Sequence, residues 1–336
     1  MENNLITLEM MAAISAYEIG DIQINAQPMV SVIMLAYNHA EYIRQAIYSI
    51  VKQQTEGFTF ELLIGDDCSK DNTLDICKAL QQQYPDIIRL VISEQNVGMH
   101  RNFARLWMRA KGKYIAFCEG DDYWIDEKKL IKQVQLLYNN PECTLCGTYT
   151  QSIRQNDQGS WENTELIRPN KVQNFYSFEE MIPSYNFHFS SIMLAKESVN
   201  FPTWFWNVYC VDRPLYLLAT QKGLAGLIPE ITSVYRHHAG GGWSPLSLKD
   251  KADKSTHLFQ TMGEYFNKRY KGFFDKTLGN ILWFYMSEAI KNEQFFLSKI
   301  LFWQSILFMK LNFSGIKIIY LMKVFFKLYI GVLFQF

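Results

Sequence analysis

The chain has 336 residues, 49% of them hydrophobic, which is enough for one domain of about 200–250 residues and a smaller appendage. Its 33 basic and 33 acidic residues give a formal net charge of zero, which excludes the broad basic surface of a nucleic-acid-binding protein. The six cysteines show no disulfide framework, and the Cys143-x-x-Cys146 pair has no second pair with which to form a zinc site. The N-terminus lacks the basic start of a signal peptide. We therefore expect a cytoplasmic protein.

From residue 30, short apolar runs alternate with helix-spaced apolar positions, which predicts strands followed by helices. The predicted strands are 30–36, 60–64, 87–92 and 113–118, and the helices lie after residue 42 and at about 72–83, 103–108 and 126–138. Asn38 and Glu41, three positions apart, resemble a capping box before the first helix. Repeated strand–helix alternation predicts an α/β fold, a doubly wound and mostly parallel sheet flanked by helices.

Beyond residue 143 the pattern is less regular. We predict strands at 145–153 and 186–194, a helix at 212–221, and further helices over 247–292. The three glycines at 240–242 form a flexible stretch that we expect to close the α/β domain.

Two acidic doublets, Asp66-Asp67 and Asp121-Asp122, each follow a predicted strand. In an open α/β sheet, ligands bind outside the carboxyl ends of the strands, so we expect both doublets to face the same crevice. Adjacent carboxylates repel each other unless a divalent cation or hydrogen-bond donors neutralise them. The pattern therefore predicts a metal-assisted site for an anionic ligand, a nucleotide diphosphate above all.

Four segments around these doublets resemble glycosyltransferase family 2, whose members have the nucleotide-diphospho-sugar-binding fold called GT-A. They are residues 30–38, 65–73, 96–98 and 119–124, with Cys68 where the family usually has glycine. The resemblance implies a GT-A catalytic domain at 29–245. Around it we place an N-terminal extension at 1–28, a helical linker region at 246–293 and a tail at 294–336.

The resemblance also implies roles for individual residues. Tyr37 would stack on a nucleobase, and Asp67 would accept a hydrogen bond from a uracil-type N–H. Arg101 would neutralise phosphate charge. Asp121 would reach the ribose or the donor sugar, and Asp122 would bind Mn²⁺ or Mg²⁺, cations that prefer oxygen ligands.

Three further residues have two interpretations each. Asp212 matches the place of the family's catalytic base, and it is also suited to cap the helix that begins there. His238, in a Tyr-Arg-x-His segment seen in related enzymes, would complete the metal shell or contact the diphosphate; the alternative is that it and His237 are exposed loop histidines. His188 would meet the acceptor or, as the favoured interpretation, pack within a strand.

The segment 294–336 has its own character, because it holds five lysines, twelve aromatic residues and no acidic residue. No uncharged apolar stretch is long enough to span a bilayer. Lys299, Lys310 and Lys317 would share one side of a helix, and basic amphipathic helices of this kind lie in the interface of anionic membranes. The alternative is a helix packed on the protein or on a second subunit.

The sequence thus predicts a metal-dependent inverting glycosyltransferase, peripheral on the inner face of the cell membrane. It would move a sugar from a nucleotide diphosphate sugar, with UDP-sugar the expected donor, to a lipid-linked or saccharide acceptor in surface polysaccharide synthesis. Nucleic acid is not an expected partner. One alternative is a catalytically inactive sugar-nucleotide-binding subunit that recruits a partner to the membrane. A second alternative is a nucleotidyltransferase, but the sequence lacks the Gly-rich basic signature of that class near the first strand.

Overall fold

The structure is a computed structural model that describes residues 6–20, 27–183, 187–238, 240–241, 243 and 245–309. Contacts divide the chain into two units, Met1–His238 and Ala239–Phe336. The limits predicted at residues 28, 245 and 293 stay predictions.

One mixed sheet organises the first unit. Its strands in the described residues are β1 (Ala16–Ile19), β2 (Val30–Ala36), β3 (Phe60–Asp66), β4 (Ile88–Ser93), β5 (Tyr114–Phe117), β6 (Tyr123–Trp124), β7 (Cys143–Gln155), β8 (Trp161–Ile167), β9 (Phe175–Tyr176), β10 (Met193–Ala195) and β11 (Leu224–His237). They follow the order β1-β4-β3-β2-β5-β10-β7-β11-β6, with β8 on β7 and β9 on β11. The neighbours from β4 to β5 are parallel, as are β7 and β11, whereas β1, β6, β8, β9 and β10 run antiparallel to their partners.

The helices of the first unit connect and cover these strands. They are α1 (Leu8–Ala12), α2 (Ile43–Val51), α3 (Thr73–Gln83), α4 (Met99–Arg109), α5 (Lys129–Asn139), α6 (Phe178–Met181) and α7 (Asp212–Thr220). Every residue of β2, β3 and β4 is buried, as expected for parallel strands with both faces covered. The predicted α/β fold is confirmed, and the carboxyl ends of β2, β3 and β5 lie side by side.

Two local predictions were wrong. Asn38 and Glu41 do not form a capping box, because α2 begins at Ile43 behind Tyr42, which makes no side-chain cap bond. Asn38 instead adopts a left-handed backbone (φ 57°), and its Oδ1 accepts the backbone N–H of Lys70 at 2.7 Å. The strand predicted at 186–194 is also much shorter. Residues Phe189–Ser191 form a 3₁₀ turn and only Met193–Ala195 pair as β10, while Asn186 lies outside the described residues.

The second unit consists mainly of helices in its described residues, as predicted for 247–292. Its helices are α8 (Leu248–Tyr265), α9 (Lys271–Lys291) and α10 (Phe295–Met309). Among the described residues, none of the helices combines the length and the apolar character needed to cross a membrane. Most of the predicted tail, 310–336, lies outside the described residues.

Candidate active site

An acidic cluster follows β5 at the carboxyl edge of the sheet. Glu119, Asp121 and Asp122 each place one carboxylate oxygen within 4.8 Å of the other two. Burial raises the pKa of Glu119 and of Asp122 well above the ordinary values, and the neighbouring carboxylates add to both shifts. Without a bound cation, the ionised forms of these two carboxyl groups are therefore disfavoured. Oxygen ligands around a hard divalent cation lie within about 5 Å of one another, so this donor set fits Mg²⁺ or Mn²⁺.

Asp122 is the buried member of the cluster, with 0% of its surface exposed. The Ser190 hydroxyl donates to its Oδ2 at 2.6 Å, and the backbone N–H of Arg236 donates to its Oδ1 at 3.1 Å. Each oxygen keeps a second lone pair, so these bonds fix the carboxylate without preventing it from acting as a metal ligand.

Asp121 is more accessible, with 17% of its side chain exposed, and two histidines face it. His238 Nε2 lies 3.0 Å and His39 Nε2 lies 3.6 Å from Asp121 Oδ2. Burial pushes the pKa of Asp121 upward, but the His238 hydrogen bond and the two histidine charges outweigh it and leave that pKa below its ordinary value. Sequence analysis named His238 as the candidate and the structure brings it to the cluster, whereas the His237 ring packs on Tyr235 at 4.4 Å between centroids.

His39 is a site residue that sequence analysis missed. Its backbone N–H donates to Thr73 Oγ1 at 2.7 Å, which ties it to the start of α3, while its ring reaches across to Asp121. A Cβ on Gly120 would lie 2.6 Å from His39 Nδ1, so only glycine fits there. Burial lowers the pKa of His39. The only local signal was its position directly after the segment 30–38.

Arg236 links the cluster to the aromatic residues beside it. Its Nη1 donates to the carbonyl oxygen of Asp121 at 2.6 Å and its Nη2 to Gln45 Oε1 at 2.5 Å. The guanidinium lies 4.3 Å from the ring centroid of Tyr123 and 5.2 Å from that of Tyr42. Because the side chain is nearly buried, these contacts fix both Arg236 and the backbone that presents Asp121.

His188 is packed, as favoured from the sequence, but it caps the 3₁₀ turn instead of lying in a strand. Its Nδ1 accepts the backbone N–H of Ser190 at 3.3 Å, and its ring packs on Tyr235 at 4.3 Å. Burial lowers the pKa of His188 to about 4, so the ring is neutral near pH 7. The neutral ring lies 3.7 Å from Asp122 Oδ2 and supports the turn that carries Ser190.

The predicted nucleotide side is built around Asp67. Its carboxylate accepts the backbone N–H groups of Val97 (2.8 Å) and Gly98 (2.9 Å) and the hydroxyl of Ser93 (3.2 Å). A carboxylate offers about four lone-pair directions, so one remains for a ligand N–H. Asp67 therefore shapes the turn at 96–98, a role that its position in the sequence did not reveal.

Tyr37 and Arg101 are the other predicted donor residues. Tyr37 is 42% exposed in the loop after β2, and Arg101 is exposed in the first turn of α4. Cys68 adopts a left-handed backbone (φ 61°), which accounts for the glycine usual at that place in the family it resembles.

Asp212 begins α7, and the residue in the N-cap position is Val211. The negative charge of Asp212 contributes to the raised pKa values of Glu119 and Tyr216 and acts on His188. A fourth carboxylate, more than ninety positions further along the chain than Glu119, thus lies near the acidic cluster. The arrangement thus combines an acidic cluster that could hold a metal ion with a carboxylate from a different element, α7.

The family model of glycosyl transferase family 2 matches residues 31–198, which include the acidic cluster and the Asp67 loop. An uncharacterized protein of Mycobacterium tuberculosis is 33% identical over 224 residues, 63% of this chain and 60% of that protein. The match thus spans about three fifths of that relative's length. The putative teichuronic acid biosynthesis glycosyltransferase TuaG of Bacillus subtilis is 38% identical over 116 residues, 34% of this chain and 43% of TuaG.

Solved structures share the fold at low identity. TarS 1-349 of S. aureus in complex with UDP has a TM-score of 0.53 at 16% identity, over 75% of this chain and 70% of that one. The mannosyltransferase PcManGT of Pyrobaculum calidifontis in complex with GDP-Man and Mn²⁺ has a TM-score of 0.55 at 17% identity, over 81% of this chain and 79% of that one. At such identities the likeness shows a GT-A-like fold.

Proposed function

Because the chain belongs to glycosyl transferase family 2, we propose that it moves a sugar from a nucleotide diphosphate sugar to a lipid-linked or saccharide acceptor, with inversion at the anomeric carbon. A UDP-sugar is the expected donor and surface polysaccharide synthesis the expected setting. The observation that carries the proposal is the acidic cluster after β5 with Asp212 near it, at the edge of the sheet where the Asp67 turn also lies.

The acidic cluster is the proposed binding site for Mn²⁺ or Mg²⁺. Glu119, Asp121 and Asp122 would hold the ion, which when bound offsets the charge of the donor diphosphate and of the leaving nucleotide. Ser190 and Arg236 hold Asp122 through hydrogen bonds, so its carboxylate is oriented before any ligand arrives. Oriented carboxylates lose less freedom on ligation, which favours tight binding.

Asp212 is the proposed general base. Inversion requires the acceptor hydroxyl to attack C1 from the face opposite the diphosphate, and a carboxylate there removes the hydroxyl proton as the C–O bond forms. Asp212 begins a buried helix, α7, so its backbone is fixed. It belongs to a different element from the cluster, which fits a residue that serves the acceptor and not the metal.

The donor nucleotide is assigned to the surface formed by Tyr37, Asp67 and Arg101. The exposed Tyr37 ring would stack on the base, the remaining lone pair of Asp67 would accept the uracil N–H, and Arg101 would face phosphate. His238, which donates to Asp121, would contact the metal shell or the diphosphate. That TarS was solved with UDP, and PcManGT with GDP-Man and Mn²⁺, supports a nucleotide sugar with a divalent ion.

The proposed acceptor and the proposed location in the cell are supported by separate observations. TuaG is named for teichuronic acid biosynthesis, which favours a surface polysaccharide as the product. The acid-free, lysine-bearing segment 294–336 favours an anionic membrane surface, and hence a cytoplasmic enzyme on the inner face of the cell membrane that meets a lipid-linked acceptor.

A ligand screen tests the proposal. Thermal unfolding is followed with UDP-, GDP- and dTDP-sugars, each with and without Mn²⁺, because a ligand that binds only the folded state raises the midpoint. We expect a shift that needs both a UDP-sugar and Mn²⁺ and that Asp121→Asn or Asp122→Asn removes. Binding that ignores Mn²⁺ would contradict the metal assignment. Metal-dependent binding without any donor hydrolysis or transfer would instead identify an inactive sugar-nucleotide-binding subunit.

A further inference from the structure

Helix α10 carries a row of exposed apolar side chains. Phe296, Ile300, Trp303 and Leu307 are 81%, 41%, 55% and 71% exposed. Their spacing of four, three and four positions places them on one face of the helix. We call this row the α10 stripe. Four large apolar side chains in one exposed row exceed the scattered apolar residues that are normal on protein surfaces, so the row marks an interaction surface.

The opposite face of α10 is fixed against α9. Leu301 and Phe302 are buried, and the Phe302 ring lies 6.2 Å from that of Trp283. The two helices approach so closely that a Cβ on Gly279 would lie 2.5 Å from Met309 Cγ and 3.0 Å from the Ser305 carbonyl oxygen. The exposed stripe is therefore held in place by packing, and it is not the product of a loosely attached helix.

Charge around the stripe selects the partner. Lys299 adjoins Ile300, and the sequence of α10 contains no acidic residue. A second copy of the chain on this face would bring Lys299 near another Lys299, whereas anionic lipid headgroups complement its charge. Phe, Trp and Leu are the side chains that enter the interfacial region of a bilayer most favourably, and lysines beside them reach the headgroups.

Packing limits how α10 meets a bilayer. One face of the helix lies on α9, so the α10 stripe is the face that lipid can reach. We infer that α10 lies along the membrane surface with the α10 stripe inserted below the headgroups. This inference rests on the proposed membrane-surface role and adds an apolar contribution to it. Binding should then have two parts, a salt-sensitive part from the lysines and a salt-resistant part from the stripe.

The test uses the full chain with Phe296→Ser, Trp303→Ser and Leu307→Ser combined. Its matched control combines Met108→Ser, Tyr138→Ser and Val172→Ser, three exposed apolar residues of the first unit. Flotation with vesicles of phosphatidylcholine, with and without phosphatidylglycerol, is measured at about 0.1 M and about 1 M salt, where the Debye length falls from about 10 Å to about 3 Å. We expect the stripe variant to lose vesicle affinity at high salt by at least about tenfold, and the control to match the unchanged protein.

A conservative variant covers the case in which the triple variant does not fold. Trp303→Phe keeps the stripe apolar, so it should still bind, but it should reduce the quenching of tryptophan fluorescence by brominated lipid. Equal quenching in both proteins would overturn the inference, as would a stripe variant that binds vesicles normally or that only loses self-association. Donor hydrolysis is measured in parallel: vesicle binding without hydrolysis would contradict the proposed reaction alone, and hydrolysis without stripe-dependent binding would contradict this inference alone.

Discussion

A single side chain, His39, connects the two acidic loops of the candidate site. Its backbone is bonded to Thr73 after β3, and its ring reaches Asp121 after β5. Partners that orient a metal ligand typically contribute 10–100-fold to metal affinity. We therefore expect His39→Ala to raise the Mn²⁺ concentration for half-maximal activity by about tenfold, with partial recovery in His39→Asn.

The His39 measurement needs a control that separates orientation from folding. His237→Ala removes a neighbouring histidine whose ring packs on Tyr235, and it should leave the Mn²⁺ dependence unchanged. The thermal unfolding midpoint of the metal-free protein should stay within a few degrees in both variants. An unchanged Mn²⁺ requirement in His39→Ala would show that Asp121 is held without His39.

The side chain of Lys129 is fully buried. Its Nζ donates to Gln133 Oε1 at 2.5 Å and to the carbonyl oxygen of Ser191 at 3.3 Å, and burial lowers its pKa to about 7. An unfolded lysine titrates near pH 10.4, so between about pH 7 and about pH 10 the unfolded state binds one proton more than the folded state. The free energy of unfolding should therefore gain up to about 1.4 kcal/mol per pH unit in that window because of Lys129.

Substitution isolates this contribution from other titrating groups. Lys129→Met should abolish the rise, so the difference in the free energy of unfolding between it and the unchanged protein should itself vary with pH from about 7 to about 10. The exposed neighbour Lys128 provides the control. Lys128→Met should change the free energy of unfolding by the same amount at every pH. Urea unfolding at several pH values measures both, and a flat difference for Lys129→Met would contradict a lowered pKa.

At the scale of elements, a buried ion pair joins β3 to β4 within the sheet. Arg89 Nη1 lies 2.7 Å from Glu61 Oε2, and Glu61 is 0% exposed. The Ser31 hydroxyl donates to Glu61 Oε1 at 2.6 Å, so β2 joins the same network. Removing one partner of such a pair leaves an uncompensated buried charge, which typically costs 3–5 kcal/mol.

Arg89→Met should accordingly lower the free energy of unfolding by about 3–5 kcal/mol in urea titrations near pH 7. Glu61→Gln with Arg89→Met should recover part of this loss, because the double variant leaves no buried charge unpaired. A single variant as stable as the unchanged protein would mean that water or relaxation compensates Glu61.

The elements also show what the sequence could predict. The strands from β2 to β5 were predictable because a buried parallel strand is a short apolar run, and that signal is local. The turn at Phe189–Ser191 was not, because it is fixed by distant contacts: Ser190 bonds Asp122, and the Trp124 indole N–H donates to the Ser190 carbonyl oxygen at 2.8 Å. Phe189 and Ile192 favour a strand, but these polar contacts stabilise a 3₁₀ turn instead.

The same distinction applies to the site. The two acidic doublets could be recognised in the sequence because each lies next to its strand. The contacts of His39 and Arg236 with Asp121 could not be recognised there. His39 lies 82 residues before Asp121 in the sequence, and Arg236 lies 115 residues after it. Only the order of strands in the sheet brings those segments together.

At the scale of the whole molecule, we propose a division of roles in which the acidic cluster binds the donor and Asp212 serves the acceptor. These are separable events, so donor binding and turnover should respond differently to one substitution. Isothermal titration with a UDP-sugar and Mn²⁺, run beside nucleotide release in the presence of acceptor, compares them directly. The most direct variant is Asp212→Asn, with Asp122→Asn as its counterpart in the cluster.

We predict that Asp212→Asn keeps the donor Kd within about threefold while turnover falls by about 10² to 10⁴, the usual contribution of a general base. Asp122→Asn should instead abolish Mn²⁺-dependent donor binding and leave the thermal unfolding midpoint of the metal-free protein nearly unchanged. If Asp212→Asn lost donor binding with little change in turnover, or if it turned over at the rate of the unchanged protein, Asp212 would not be the general base and the division between cluster and base would be wrong.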